Sequence, residues 1–408
     1  MKPLGPVPQG FASINGELAV QGIAASDLVA QAGDTPCFVY SSAMLEARVA
    51  SLRAAMPRRL AIHYAMKANP FAPVLRLMAG LVDGIDIASA GELALATAAG
   101  MDPAKISFAG PGKRDRDLAA AIAAGVTLNI ESEGECDRAL AIGERLGVQP
   151  RLAVRVNPDF DLRGSGMRMG GGARPFGIDQ ARVPEMVRHI LGSGAHWRGF
   201  HIFPGSQALD TGAIIETQGK TLDLAAQLAE AAGQAPEHLN LGGGMGIPYF
   251  PADVPVDIAR VGAALADRFA ALPAVLANTD FAMELGRWLV GEAGVYLTRI
   301  VDRKTSHGEL YLVTDGGLHH QLAASGNFGT VVRRNYPVAI ASRFDADPAE
   351  EANVVGCLCT PLDRLADKAH LPRADVGDLV AVFCAGAYGA SASPSDFLGH
   401  GKAPEILV

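Results

Sequence analysis

From Leu60 to Ala109 the chain reads LAIHYAMKANPFAPVLRLMAGLVDGIDIASAGELALATAAGMDPAKISFA, and the alternation within this stretch decides the fold. Three short runs of β character, predicted at Ala61–Met66, Gly84–Ala88 and Ile106–Ala109, are separated by Ala-rich stretches of helical character. The segment SAGELALATAAG sets its apolar residues on one face and ends at Gly100, a helix-stopping residue, shortly before Pro103. Strand, helix and strand in this order give parallel strands joined by crossover helices. Downstream the same alternation returns, with strands predicted at Thr127–Ile130, Leu152–Val156, Arg198–Phe203, His238–Leu241 and Phe281–Leu285. Eight repeats predict an α/β fold, a closed TIM-like (β/α)8 barrel.

Beyond Gly286 the character changes. Runs such as GVYLTRIV, ELYLVTD, NVVGCLC and DLVAVFC are separated by Gly, Pro and Asp turns with little helical periodicity between them. This predicts an all-β domain, Greek-key-like in type. The expected organisation is an N-terminal segment, residues 1–35, joining the β-domain; a barrel over residues 36–286; and the β-domain over residues 287–408. The strand-like CFVY of Cys37–Tyr40 lies upstream of the barrel strands and shares the character of the β-domain.

Composition narrows the class. The 408 residues are 49% hydrophobic and 19% charged, as in soluble globular proteins, and the formal net charge of −8 comes with no basic run of the kind a nucleic-acid surface needs. Five scattered cysteines and no signal-like start fit a reducing cytoplasm. Apolar stretches are interrupted by charge, as in ALAIGERLGV, before they reach the length of a membrane span.

In a barrel of this type the reactive face lies at the C-terminal ends of the strands. Lys67 follows the first strand directly, and a lysine leaving an apolar strand into a barrel mouth is expected to be partly desolvated, which favours the free amine that Schiff-base chemistry needs. After the seventh strand, LGGGMGIPY offers Gly242, Gly243, Gly244 and Gly246, whose backbone N–H groups can converge on an anion where such barrels commonly bind phosphate. After the eighth, MELGRW supplies Glu284 and Arg287: the carboxylate suits a protonated heterocyclic nitrogen, the guanidinium a phosphate. Other strand ends add Asp86 and Glu92, Arg155 and Asn157, and His201, Phe203 and Ser206. Taken singly, each has a bland reading: a snorkelling lysine, a tight turn, a salt bridge closing the barrel. Amine, phosphate cradle, carboxylate and aromatic ring on one rim together describe the needs of pyridoxal 5'-phosphate (PLP).

At HYAMKANP, DIASAGE, RVNP, LGGGMG, ELGR and GAYG the sequence resembles the fold-type III PLP-dependent decarboxylases, the family of the diaminopimelate and eukaryotic ornithine decarboxylases, with the resemblance running from about Pro36 to the C-terminus. It implies a homodimer with shared active sites. It also implies that Lys67 carries the cofactor as a Schiff base and that Glu284 pairs with the pyridine nitrogen. Ser206, Gly242 to Gly244, Arg287 and Tyr388 would hold the phosphate, with Tyr388 coming from the partner subunit. Asp86 and Arg155 belong to the same cofactor set. Cys359, also from the partner, matches the position that returns a proton after loss of carbon dioxide; its plain alternative is a buried apolar cysteine.

Departures from the family pattern bear on the substrate. Phe203 stands where the family usually stacks a histidine on the cofactor ring, so stacking is kept and a hydrogen bond is lost. In GCLCTPLD, Thr360 occupies a position that is acidic in enzymes reading a distal ammonium, and a buried ammonium without a carboxylate is costly. Asp363 is available to compensate, which keeps diaminopimelate decarboxylation open. CTPLD, the ending SPSDFLGHGKAPEIL and the loop MRMGGGARPFGID are closer to the subgroup that includes the butirosin-pathway and exosortase-associated decarboxylases. That likeness implies an amino acid such as glutamate tethered to an acyl carrier protein. Arg163, Arg168 and Arg174 are candidates to meet an acidic carrier, or else form a solvated loop. Arg333 is a candidate for a substrate carboxylate, or else a surface ion pair. A non-catalytic PLP-binding protein and a racemase are the remaining alternatives; the β-domain with Cys359 argues against the first and Glu284 against the second. Neither Cys357 with Cys359 nor His319 with His320 is enough to specify a metal, and none is expected.

Overall fold

The structure, a computed structural model, describes residues 2–326 and 334–408. The chain divides into two compact units: Arg48–Gly246 with Pro255–Gly286, and Met1–Ala47 with Ile247–Val254 and Arg287–Val408.

The first unit is a closed barrel of eight parallel strands. They are β1 (Leu60–Ala65), β2 (Gly84–Ile87), β3 (Ile106–Phe108), β4 (Thr127–Ile130), β5 (Arg151–Asn157), β6 (His196–Ile202), β7 (His238–Gly243) and β8 (Asp280–Leu285). Consecutive strands pair, and β8 returns to β1 with Glu284 opposite His63. Nearly every strand residue is buried, because helices cover the outer face and side chains fill the inner one. The helices begin where side chains satisfy the first free N–H groups. Ser89 accepts from Glu92 N, Ser132 from Glu135 N, and Asp210 from Ala213 N. The helix Ala90–Ala98 ends as its sequence requires, with Gly100 just beyond it at a φ of 95°.

The second unit is built mainly of strands. The long β9 (Gly294–Ser306) pairs through its first half with Leu379–Phe383 and Cys37–Tyr40, and through its second half with β10 (Glu309–Thr314). Beyond β10 the sheet continues through β11 (Glu350–Val355) and β12 (Arg364–Leu371). Leu18, Val20 and Leu28 pack with Val39, Val295, Leu297 and Phe383 in one apolar core, so the N-terminal segment is part of this unit. Two boundaries differ from those read in the sequence. The start expected at residue 36 moves to Arg48, because Cys37–Leu297 and Tyr40–Gly294 are paired residues of one antiparallel ladder. Ile247–Val254, which follows β7, also belongs here: the Tyr249 ring lies 4.5 Å from that of Tyr336, and the Arg334 guanidinium lies 3.6 Å over the Phe250 ring. No helix among the described residues is long and apolar enough to cross a membrane.

Candidate active site

The C-terminal ends of the barrel strands converge on one pocket, lined by Lys67, Asp86, Arg155, Phe203 and Glu284 together with His201, Phe176, Met169 and the turn Ala109–Pro111. The register explains the grouping. Glu284 of β8 lies opposite His63 of β1, Ala65 lies opposite Asp86 of β2, and His201 of β6 lies opposite both Arg155 of β5 and Asn240 of β7. Lys67 follows β1 in a single turn, Met66–Ala68. Its side chain is exposed at the pocket rim, which corrects the expectation of a desolvated amine. The barrel wall does not bury Lys67; it surrounds it with carboxylates, Glu284 and Glu92, close enough for both to feel its charge.

Glu284 is buried and does not stand alone. Its Oε2 lies 2.6 Å from His201 Nε2 and accepts a 3.2 Å hydrogen bond from Asn240 Nδ2. Burial by itself would raise the pKa of this carboxyl. Attraction to His201 and the hydrogen bond between them, with smaller help from Lys67 and Arg155, outweigh burial and hold it well below the ordinary carboxylate range. The barrel therefore keeps a negative charge at its centre at neutral pH.

Beside it, His63 Nδ1 lies 3.4 Å from Asp86 Oδ2, an ion-pair distance without an aligned hydrogen bond. Burial lowers the pKa of His63, but the Asp86 carboxylate, aided by Glu284 and Asp83, reverses the sign and the net shift is upward. A raised folded-state pKa stabilises the fold fully below the unfolded value of about 6.5 and is lost as pH climbs through the folded value. His63→Gln is accordingly expected to destabilise the protein by about 1–3 kcal/mol at pH 6 and by less at pH 9. Thermal melts of both proteins at the two pH values check this, and a difference that does not change with pH contradicts it.

On the opposite side of the pocket, Arg155 donates to Glu131 Oε1 at 2.9 Å, and its guanidinium lies 5.0 Å over the Phe176 ring. Glu131 also accepts from Gly110 N and Gly177 N, which ties the pocket turns to the base of Arg155. Behind it, Lys113 and Glu135 form a buried pair at 2.6 Å. These pairs fix Arg155 in place without freeing its charge. His63, Glu131 and Phe176 were not singled out in the sequence. Glu131 immediately follows β4, so the strand-end rule that found Glu284 applies to it as well.

The glycine run after β7 has a steric cause. A Cβ on Gly243 would collide with the Glu284 carbonyl oxygen of β8, one on Gly244 with the Gly205 carbonyl, and one on Gly242 would press on Phe203. Gly242 and Gly244 also have φ values of 67° and 81°. Three glycines thus let β7 close against both neighbours and bring their backbone beside Gly205–Ser206, itself paired with Met167–Arg168. Asn157, at the end of β5, bonds to Gly172 O and Asp179 and serves its own loop.

In the strand-rich unit, Arg287 opens the short helix Arg287–Val290. It donates to the Tyr249 hydroxyl at 2.6 Å, and its guanidinium lies 4.7 Å over the Tyr388 ring. Arg287 and Tyr388 thus approach one another within one chain, both belonging to the same folded unit. Cys359 is exposed after β11. Thr360 Oγ1 accepts from Leu362 N at 3.3 Å and so caps the turn. Asp363 is buried, and its two oxygens accept from Leu318 N at 2.7 Å and Leu358 N at 2.8 Å. These two bonds make Asp363 an organiser of its own loop. Arg333 lies outside the described residues.

The residues fit PLP. The pocket presents a primary amine at its rim, a buried carboxylate held ionised and a ring at Phe203. His201 Nδ1 and both Asp86 oxygens are buried without a hydrogen-bond partner, polar groups that a bound heterocycle with a hydroxyl and a charged nitrogen can satisfy.

Comparison with known proteins gives the same direction. Residues 42–291 match the family described as pyridoxal-dependent decarboxylase, pyridoxal binding domain. The L-glutamyl-(BtrI acyl-carrier protein) decarboxylase of Niallia circulans is 37% identical over 92% of this chain and 89% of its own. The diaminopimelate decarboxylase of Archaeoglobus fulgidus is 33% identical over 98% of this chain and 93% of its own. Among solved structures, diaminopimelate decarboxylase from Helicobacter pylori complexed with L-lysine is 26% identical and superimposes with a TM-score of 0.83 over 94% of both chains.

Proposed function

As the chain belongs to the pyridoxal-dependent decarboxylases, we propose that its substrate is an amino acid carried on an acyl carrier protein, with a glutamyl group as the foremost candidate. The protein is a PLP-dependent carboxy-lyase. When bound, PLP supplies the electron sink that accepts the pair left behind as carbon dioxide departs. The protein's own groups do the rest. Lys67 would anchor the cofactor at the rim, Phe203 would face its ring, and Glu284, kept anionic by His201, would favour the protonated form of its heterocyclic nitrogen. Asp86 and Arg155 would orient it, and Ser206, the Gly242–Gly244 backbone, Arg287 and Tyr388 would hold its phosphate. Cys359, exposed on its loop, donates the proton that completes the substrate carbon, and it does so in a head-to-tail homodimer where a second copy closes each site.

One observation carries the choice of substrate: the acid expected to neutralise a distal ammonium, Asp363, already serves two backbone amides, and its neighbour Thr360 has no charge to offer. A distal ammonium thus meets no acid at position 360 and only an amide-bonded one at 363, which supports a substrate without such an ammonium. Arg163 and Arg174 are exposed on the loop after β5, where Arg163 pairs with Glu216, and they support contact with an acidic carrier; Arg168 belongs to the same loop. Diaminopimelate decarboxylation is the second reading, favoured by the relatives of that activity.

Carbon dioxide release decides between them. The expected result is a kcat/KM at least about 100-fold higher for L-glutamyl-loaded carrier than for free meso-diaminopimelate, the scale on which an unpaired buried charge discriminates. Efficient turnover of free meso-diaminopimelate would overturn the carrier assignment and leave the decarboxylase intact.

A further inference from the structure

Three segments of the strand-rich unit bring His319, Cys357 and His400 together, and their potential ligand atoms all lie within 4.8 Å of one another. We propose that these residues form a divalent-metal site, suited to Zn(II), with one ion per chain and its fourth position open to water or a carboxylate.

Donor chemistry and spacing carry the inference. Two imidazoles and a thiol are donors that zinc accepts, and three protein ligands with one open position is the coordination of zinc sites that keep a place for water or substrate. With Zn–N near 2.0–2.1 Å and Zn–S near 2.3 Å, a tetrahedral ion separates nitrogen from sulfur by about 3.6 Å. The observed distance from Cys357 Sγ to His400 Nε2 is 3.8 Å. No large movement of this edge is needed to admit the ion.

An independent observation comes from His319. It is completely buried, yet neither ring nitrogen has a hydrogen-bond partner among the described residues. A buried imidazole with both nitrogens unsatisfied is costly to leave so, and a coordinated cation removes that cost at one of them. The neighbouring ring makes the contrast plain. His320 Nδ1 faces the Tyr296 hydroxyl at 3.2 Å and its Nε2 faces Gly401 O at 2.9 Å, so both its nitrogens are employed. The second contact holds the turn that carries His400, and the His319 and His400 rings lie with centroids 4.6 Å apart. His320 acts as the positioning residue and His319 as the ligand.

Cys357 is half-buried, whereas Cys359, two residues on, is exposed; the proposal assigns the sulfur ligand to the first and leaves the second to proton transfer. The ion would tie the segment after β10 and the loop after β11 to the C-terminal turn Phe397–Gly399, three stretches that no short spacing in the sequence links.

The test uses the full-length, PLP-loaded protein, stripped with chelator, kept reduced, and then titrated with Zn(II) or Co(II) alone. The expected result is one metal per chain by elemental analysis, with Co(II) giving visible d–d bands of a tetrahedral site and a sulfur charge-transfer band. Cys357→Ser should remove the charge-transfer band. Cys357→Ser and His400→Ala should each weaken Zn(II) binding by more than about 100-fold, beyond the effect of losing an outer-shell partner. His400 is exposed, so its replacement leaves the fold and PLP content unchanged, to be verified by circular dichroism and cofactor absorbance. Cys359→Ser should retain the metal and the band. Failure of the folded wild-type protein to take up stoichiometric metal overturns the site, as does unchanged binding in both ligand variants or loss of the sulfur band in Cys359→Ser in place of Cys357→Ser.

Discussion

Replacing Lys67 by alanine is expected to abolish the absorbance of lysine-bound cofactor and to lower decarboxylation by about 10³-fold or more, the scale on which removal of a covalent nucleophile acts. The position explains the size of the effect. Lys67 is the amine that the first barrel strand delivers to the pocket rim, and it lies where Glu284 and Glu92 both feel its charge. Lys67 is exposed, and a melt of the protein without cofactor reports separately whether the variant keeps its fold. Borohydride reduction of the wild-type protein followed by peptide mapping supplies the direct check. Label on a peptide containing Lys67 is the expected outcome, and label on any other lysine removes Lys67 from its assigned role.

Glu284→Gln is expected to retain PLP but to lower kcat by roughly 10²–10⁴-fold, the range associated with loss of a positioned proton-holding group. Glutamine keeps the shape and can still meet Asn240 and His201, but it brings no charge to hold a proton on a heterocyclic nitrogen. The pH dependence follows from the depressed pKa of Glu284. Its ionised form contributes stability above the unfolded value of about 4.3, and that contribution is lost as pH falls through the lower folded value. Glu284 should therefore contribute no limb to the wild-type kcat profile between pH 5 and 7. A loss of less than about 10-fold in kcat for Glu284→Gln, with the cofactor bound, would refute the assignment.

The barrel was legible because its signal is local: strand and helix periods alternate through eight repeats, and the rim rule then points to whatever polar residue follows each strand. Lys67, Glu284, Arg155 and Phe203 were found in this way, and they line one pocket. His63 escaped because it lies within β1, where a histidine in an apolar run carries no sign of the carboxylate that β2 will set beside it. The loop role of Asp363 was hidden for a related reason. A loop acid looks available in a sequence, and only the folded loop reveals that Leu318 and Leu358 donate to it. The domain boundaries failed where pairing is non-local: nothing near Cys37–Tyr40 announces its partner Gly294–Leu297, and Ile247–Val254 reads as a plain barrel loop. His319, Cys357 and His400 lie dozens of residues apart and match no metal-ligand spacing, so their convergence is a property of the fold alone.

The excursion of Ile247–Val254 between the last two barrel strands makes the gene hard to treat as two cassettes. A recombination event at Gly286 would carry that octet away from Tyr336, Arg334 and Arg287, the residues that grip it. Shuffled relatives would survive only if the octet and its grip travelled together, so the two halves are bound to co-inherit. Any engineer grafting a new β-domain onto this barrel must therefore transplant three separate stretches, one of them only eight residues long.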